Sequence, residues 1–186
     1  GAYTRLTDAG LGCPDWPGCY GFLKVPHQEH HIAAAQQAFP DRPLVHHKAW
    51  NEMVHRYFAG SLGLLIAAIF FSSMFSRQSP KAVPTVLLLL VVFQAALGMW
   101  TVTLNLLPLV VMGHLLGGFT LLSLLAVYWL KLHPDYKVQE PQLVSLKPFA
   151  VLALIVLVSQ IALGGWTAAN YAALACIELP VCEQGW

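Results

Sequence analysis

Val83-Pro-Thr-Val-Leu-Leu-Leu-Leu-Val-Val-Phe-Gln-Ala-Ala-Leu-Gly-Met-Trp-Thr-Val-Thr-Leu104 runs for 22 residues without a charged side chain. A helix rising about 1.5 Å per residue needs roughly 20 such residues to cross the hydrocarbon core of a bilayer, so this stretch reads as a transmembrane helix. Working outward, three neighbours are as long and largely apolar: Trp50 to Phe75, Pro108 to Leu130 and Pro148 to Ala169. The breaks are Arg77-Gln-Ser-Pro-Lys81, Asn105-Leu-Leu-Pro108 and the charged stretch Lys131 to Lys147. Each holds a proline, which lacks a backbone donor and interrupts helices. The expected fold class is therefore all-α, a polytopic membrane protein built as a helical bundle.

Composition agrees. Of 186 residues, 57% are hydrophobic and 10% charged, whereas soluble domains carry about 25% charged residues. A net charge of +1 without a basic cluster excludes nucleic acid as a partner, since binding it requires a Lys/Arg stripe that displaces counterions. No basic segment followed by a short apolar core opens the chain, so no signal peptide is read, and Gly1 is expected to be a cut end.

Four crossings return the chain to its starting side, placing both cysteine pairs, Cys13 with Cys19 and Cys176 with Cys182, in one compartment. The spacing is the same in both pairs and all four lie in polar loops. Cysteines of membrane proteins are often small buried apolar residues; paired loop cysteines read better as disulfides on an oxidising face. Arg77, Lys81, Lys131, Lys137 and Lys147 crowd the short opposite loops, which puts the cysteine loops outside.

The sequence also repeats. Gln94-Ala-Ala-Leu-Gly-Met-Trp-Thr101 recurs as Gln160-Ile-Ala-Leu-Gly-Gly-Trp-Thr167. Thr4, Leu11, Cys13, Pro17 and Cys19 match Thr167, Leu174, Cys176, Pro180 and Cys182 at one offset. The opening and closing loops are one module used twice. Since the second copy follows a helix, residues 1–4 are expected to end an earlier span, and further helices are expected after Trp186. The chain then reads as a fragment of an eight-helix protein made of two pseudo-symmetric four-helix halves. Its parts are an outer cysteine loop over 1–49, three helices of the first half over 50–130, an inner loop over 131–147, and the first helix and outer loop of the second half over 148–186.

Ionisable groups within spans are costly and mostly functional. Here they are Glu52, His55, Arg56 and His114. Glu52 and His55, three apart, share a helix face. His55 lies roughly 7 to 8 Å below Trp50, and His114 roughly 9 Å below Pro108, so the histidines fall at similar depth near the outer face. Ala59 and Gly60 follow one, Gly117 and Gly118 the other, leaving room beside each imidazole for a flat disc such as a porphyrin held between axial histidines. Ordinary small-residue packing, with Gly113 and Gly117 as a small-xxx-small pair, is the competing explanation. Arg5, Arg56 and Lys48 near the outer face can meet haem propionates or snorkel to the interface. His27, His30, His31, His46 and His47 in the first loop show no fixed ligand spacing and read as solvated. Ile32 to Phe39 is a candidate surface helix.

Thr4-Arg-Leu-Thr-Asp-Ala-Gly-Leu-Gly-Cys-Pro-Asp-Trp-Pro-Gly-Cys19, Trp50-Asn-Glu-Met-Val-His-Arg56 and Gly113-His-Leu-Leu-Gly-Gly118 together resemble the haem A synthase family, and the resemblance runs across essentially the whole chain. It implies an eight-helix membrane enzyme, an oxidoreductase that converts a methyl group of haem O into a formyl group, giving haem A for cytochrome c oxidase. It also implies His55 and His114 as ligands of the substrate haem iron, Glu52 as catalytic acid or base, and a haem b cofactor in the second half, whose ligands lie beyond Trp186. Cys13 and Cys19 match the family's outer pair, either relaying electrons or bracing the loop. Implied partners are haem O, membrane lipid, haem O synthase and oxidase assembly factors, with homo-oligomers open. The implied setting is a bacterial inner or mitochondrial inner membrane, cysteine loops outward. Two other readings stand beside it: a membrane thiol:quinone oxidoreductase, which uses the cysteines but not the histidines, and a non-catalytic haem carrier.

Overall fold

A computed structural model of the chain describes residues 10–76, 81–133, 145–170 and 172. Among the described residues there are five helices and no strand: α1 (Glu29–Ala38), α2 (His46–Phe75), α3 (Ala82–Thr103), α4 (Pro108–Leu132) and α5 (Lys147–Ala169). The last four are each long and apolar enough to cross a membrane, with mean hydropathy of 2.0 to 2.2 over their most apolar windows. The chain is an integral membrane protein of the all-α class. Its spans match those read from the apolar runs, except that α2 begins four residues early, at His46 rather than Trp50. Hydropathy marks where a helix enters lipid, not where its backbone begins to coil, and the polar first turn His46-His47-Lys48-Ala49 stands above the apolar run. Proline opens α4 and α5 within their first two positions, where its missing N–H would have had no partner in the helix.

Neighbours in sequence are neighbours in space: α2 packs on α3, α3 on α4 and α4 on α5. Ile66 of α2, Leu87 of α3 and Leu121 and Tyr128 of α4 form a buried core shared by these three helices. No residue of α5 is buried. The α3–α4 hairpin is closed by Asn105 and Leu106, both left-handed at φ 49° and 59°. Asparagine enters that region with less strain than most residues, and the Leu106 N–H donates to the Thr101 carbonyl at 2.8 Å.

Above the helices sits a cap with its own small core of Cys13, Cys19, Tyr20, Val25 and Ala35, completed by Ala49 and Met53 from the top of α2. Cys13 and Cys19 form the expected disulfide. Asp15 accepts the backbone N–H groups of Tyr20 and Gly21 at 2.6 and 2.7 Å, which holds the turn following Cys19. Burial pushes the Tyr20 phenol above its ordinary pKa, and its hydroxyl donates to the Pro43 carbonyl at 3.1 Å. The helix expected over Ile32 to Phe39 is present as α1, starting three residues earlier, and Ala35 turns one of its faces into the cap core. Arg42 donates to the Asn105 side chain at 2.6 Å, so cap, start of α2 and α3–α4 hairpin all lie at one end of the bundle. Arg5, Cys176 and Cys182 lie outside the described residues.

Candidate functional site

Gly12 brings the cap down onto α2. A Cβ there would lie 2.3 Å from the Lys48 carbonyl oxygen, so only glycine lets the loop backbone approach the first turn of the helix this closely. The next residue then reaches the site: the Cys13 N–H donates to Glu52 Oε2 at 3.0 Å. The other carboxylate oxygen, Oε1, accepts from Arg56 Nη2 one turn down the helix. Arg56 also donates through Nη1 to the carbonyls of Gly18 and of Pro17, the latter at 3.2 Å. Both ends of the disulfide loop are thus fastened to one Glu–Arg pair. The two side chains are only 15% and 11% exposed, and charge-assisted hydrogen bonds of this kind are roughly twice as strong as neutral ones.

His55 lies three residues after Glu52, on the same face of α2. His114, two turns into α4, comes to meet it: the imidazole centres are 6.3 Å apart, with ring planes at 88°. Bonds from metals to imidazole nitrogen run about 2.0 to 2.1 Å, and a five-membered ring with bonds of about 1.33 Å has its centre about 1.1 Å from each atom. Two imidazoles binding one metal from opposite sides should therefore have centres about 6.4 Å apart. The observed separation fits that arrangement. Among the described residues no group of three or more His, Cys, Asp or Glu comes together as a metal-holding cluster.

The room beside the histidines differs from expectation at one of its glycines. A Cβ at Gly60 or Gly118 would meet nothing within 4 Å, as a slot requires. A Cβ at Gly117, by contrast, would lie 1.7 Å from Nε2 of Gln94: that position is filled by a side chain of α3. A Cβ at Gly113 would meet Leu97 at 3.7 Å, an ordinary contact. The Gly113/Gly117 pair thus serves α3–α4 packing, while Gly60 and Gly118 stay open. Gln94 carries no ionisable group and so stands outside the site candidates read from the sequence. A buried amide in an apolar helix carries the same signal, and its recurrence as Gln160 was already visible.

Four apolar helices under a disulfide-braced cap, with the imidazoles of His55 and His114 6.3 Å apart near the cap, define a polytopic helical membrane protein. A sequence model of the family described as cytochrome oxidase assembly protein (COX15-CtaA) matches residues 1–186. The chain belongs to that family. It is also 56% identical over 187 residues to a protein of Shewanella oneidensis named Heme A synthase, in an alignment covering 100% of this chain and 57% of that protein. The chain thus spans a little over half the length of this curated relative. No solved structure matches it.

Proposed function

We propose that this chain carries the substrate-binding half of a haem A synthase, with haem O seated between His55 and His114. The observation that carries the reading is the 6.3 Å separation of the two imidazoles, brought together from helices 59 residues apart in sequence at the end of the bundle closed by the cap. The family match and the name of the Shewanella oneidensis relative support the activity.

Oxidising an unactivated methyl group requires redox chemistry, which the haem iron supplies, and a proton acceptor placed nearby in a low dielectric. Glu52 is that acceptor in this reading. Arg56 and the Cys13 N–H hold its two oxygens, so its direction is fixed by the cap. Arg56 and Arg5 remain the proposed propionate contacts, although the Arg56 guanidinium already serves Glu52 and two loop carbonyls. The disulfide braces the loop that aims the carboxylate. A haem b cofactor belongs to the second half, of which α5 is the first helix, and residues 131–147 join the halves. The cap faces the periplasmic side of a bacterial inner membrane, or the equivalent side of the mitochondrial one. Haem O synthase and oxidase assembly factors are the expected partners.

The test uses the full-length protein supplied with haem O, followed by extraction of the haem and separation of its forms by mass. Haem A made by wild type and lost in Glu52→Ala is the expected result. Unchanged haem A in that variant would remove Glu52 from the chemistry. Bound haem with no formyl product in wild type would favour the carrier reading.

A further inference from the structure

Inward of the two histidines, on the same helix faces, runs a groove that the chemistry at the cap does not use. Leu62 and Ile69 follow His55 at spacings of seven, and Gly118, Leu125 and Leu132 follow His114 at spacings of four, seven and seven. Residues so spaced stay on one face of a helix, so each face that carries an imidazole continues as an apolar stripe. Between the stripes lies a cavity of about 770 Å³, walled by Leu65, Ile69 and Ser72 of α2 and by Leu125, Trp129 and Leu132 of α4. Ile69 and Leu125 lean on the buried core, which closes the floor, while Leu65 and Trp129 stay 63% and 48% exposed. Gly118, where a Cβ would meet nothing within 4 Å, leaves the passage from His114 to the groove clear on α4.

We propose that this groove takes the isoprenoid tail of the substrate haem. The inference rests on the seating of haem O between His55 and His114. Haem O differs from haem B by a hydroxyethylfarnesyl chain in place of one vinyl group, on the part of the ring away from the propionates. The two imidazoles stand at similar depth, so a disc held between them stands along the helices, one edge toward the cap and the other toward the groove. Propionates belong at the cap edge, beside Arg56, because charge is costly further into the membrane. The tail then leaves from the opposite edge. Carbon–carbon bonds of about 1.5 Å give an extended farnesyl chain a reach of roughly 15 Å. From the inner rim of the porphyrin it spans the layer of Leu65 and Leu125, about 15 to 17 Å from the histidines, and ends near Ile69 and Trp129 at about 21 to 23 Å. Over that length the wall is aliphatic and aromatic, which suits a chain whose one hydroxyl lies at its root; the Ser72 side of the cavity lies beyond its end.

The experiment titrates the full-length protein in detergent with haem O and with haem B, following the low-spin signal that His55→Ala removes. Burial of the tail is expected to favour haem O by roughly 10- to 100-fold in Kd. Ala68 also lines the groove, so Ala68→Phe and Leu125→Trp each put bulk where the tail would lie. Either variant should lower the affinity for haem O toward that for haem B, while haem B binds as it does to wild type, which also reports that the variant has folded. Equal affinity of wild type for the two haems would overturn the proposal. So would a filled groove that weakens both haems alike or neither, which would give the space to a lipid acyl chain or to another helix of the full-length protein. If neither haem gives a signal that depends on His55, the haem seat itself falls, and the tail groove with it.

Discussion

Arg56 joins more of the site than any other side chain, since it holds Glu52 from below and the disulfide loop from the side. Arg56→Ala leaves a mostly buried carboxylate without its cation and two loop carbonyls without a donor. Hydrogen bonds to charged groups are worth about 1.5 to 3 kcal/mol, so the variant should lose stability on that order in detergent unfolding, and the cap should become more sensitive to protease. Arg56→Lys cannot span Glu52 and the loop in the same way, because a point charge does not reproduce the guanidinium fork, and should recover only part of the loss. The disulfide makes a separate prediction. Closing so short a loop contributes about 2 kcal/mol by chain entropy. If the bridge only braces the loop, replacing Cys13 and Cys19 together by serine should lower stability by about that amount and reduce haem A formation through a loosened Glu52, while haem binding at His55 and His114 persists. Loss of turnover with no change in stability or in protease protection of the cap would instead assign the pair to electron transfer.

At the scale of the elements, the α3–α4 crossing separates glycines that pack from glycines that leave room. Gly117→Ala would drive a Cβ into the Gln94 amide, and overpacking of this kind costs typically about 1 to 3 kcal/mol; Gly118→Ala meets nothing and should leave the melting temperature unchanged. Thermal unfolding of the two variants side by side checks both. This distinction was not legible in the sequence. Both glycines follow His114 in a run that suits a slot or a packed seam, and only the facing helix decides between them. The spans were legible, because charge-free runs such as Val83 to Leu104 have no other stable home than lipid. The depth of the two histidines was legible as well, since helical rise counted from Trp50 and Pro108 puts them level. What distance along the chain concealed were the partners: the Cys13 N–H reaches Glu52 across 39 residues, and Gln94 fills a gap on another helix. A single sequence states which residues are unusual, not which of them meet.

On the scale of the whole molecule, the paired histidines, the cap and the repeat describe one design. The cap fixes a carboxylate above the histidines, α2 and α4 each contribute one imidazole, and α3 lies between them in sequence and against α4 in space. No residue of α5 is buried, and the chain spans a little over half the length of the curated relative. The central claim is that His55 and His114 hold one haem iron between them. Its most direct test is the absorption and electron paramagnetic resonance spectrum of the full-length protein loaded with haem O, in wild type, His55→Ala and His114→Ala. The account predicts that each single substitution removes the same low-spin, six-coordinate signal and leaves any second haem untouched. A low-spin signal that survives both substitutions, or that is lost in one and intact in the other, would contradict it.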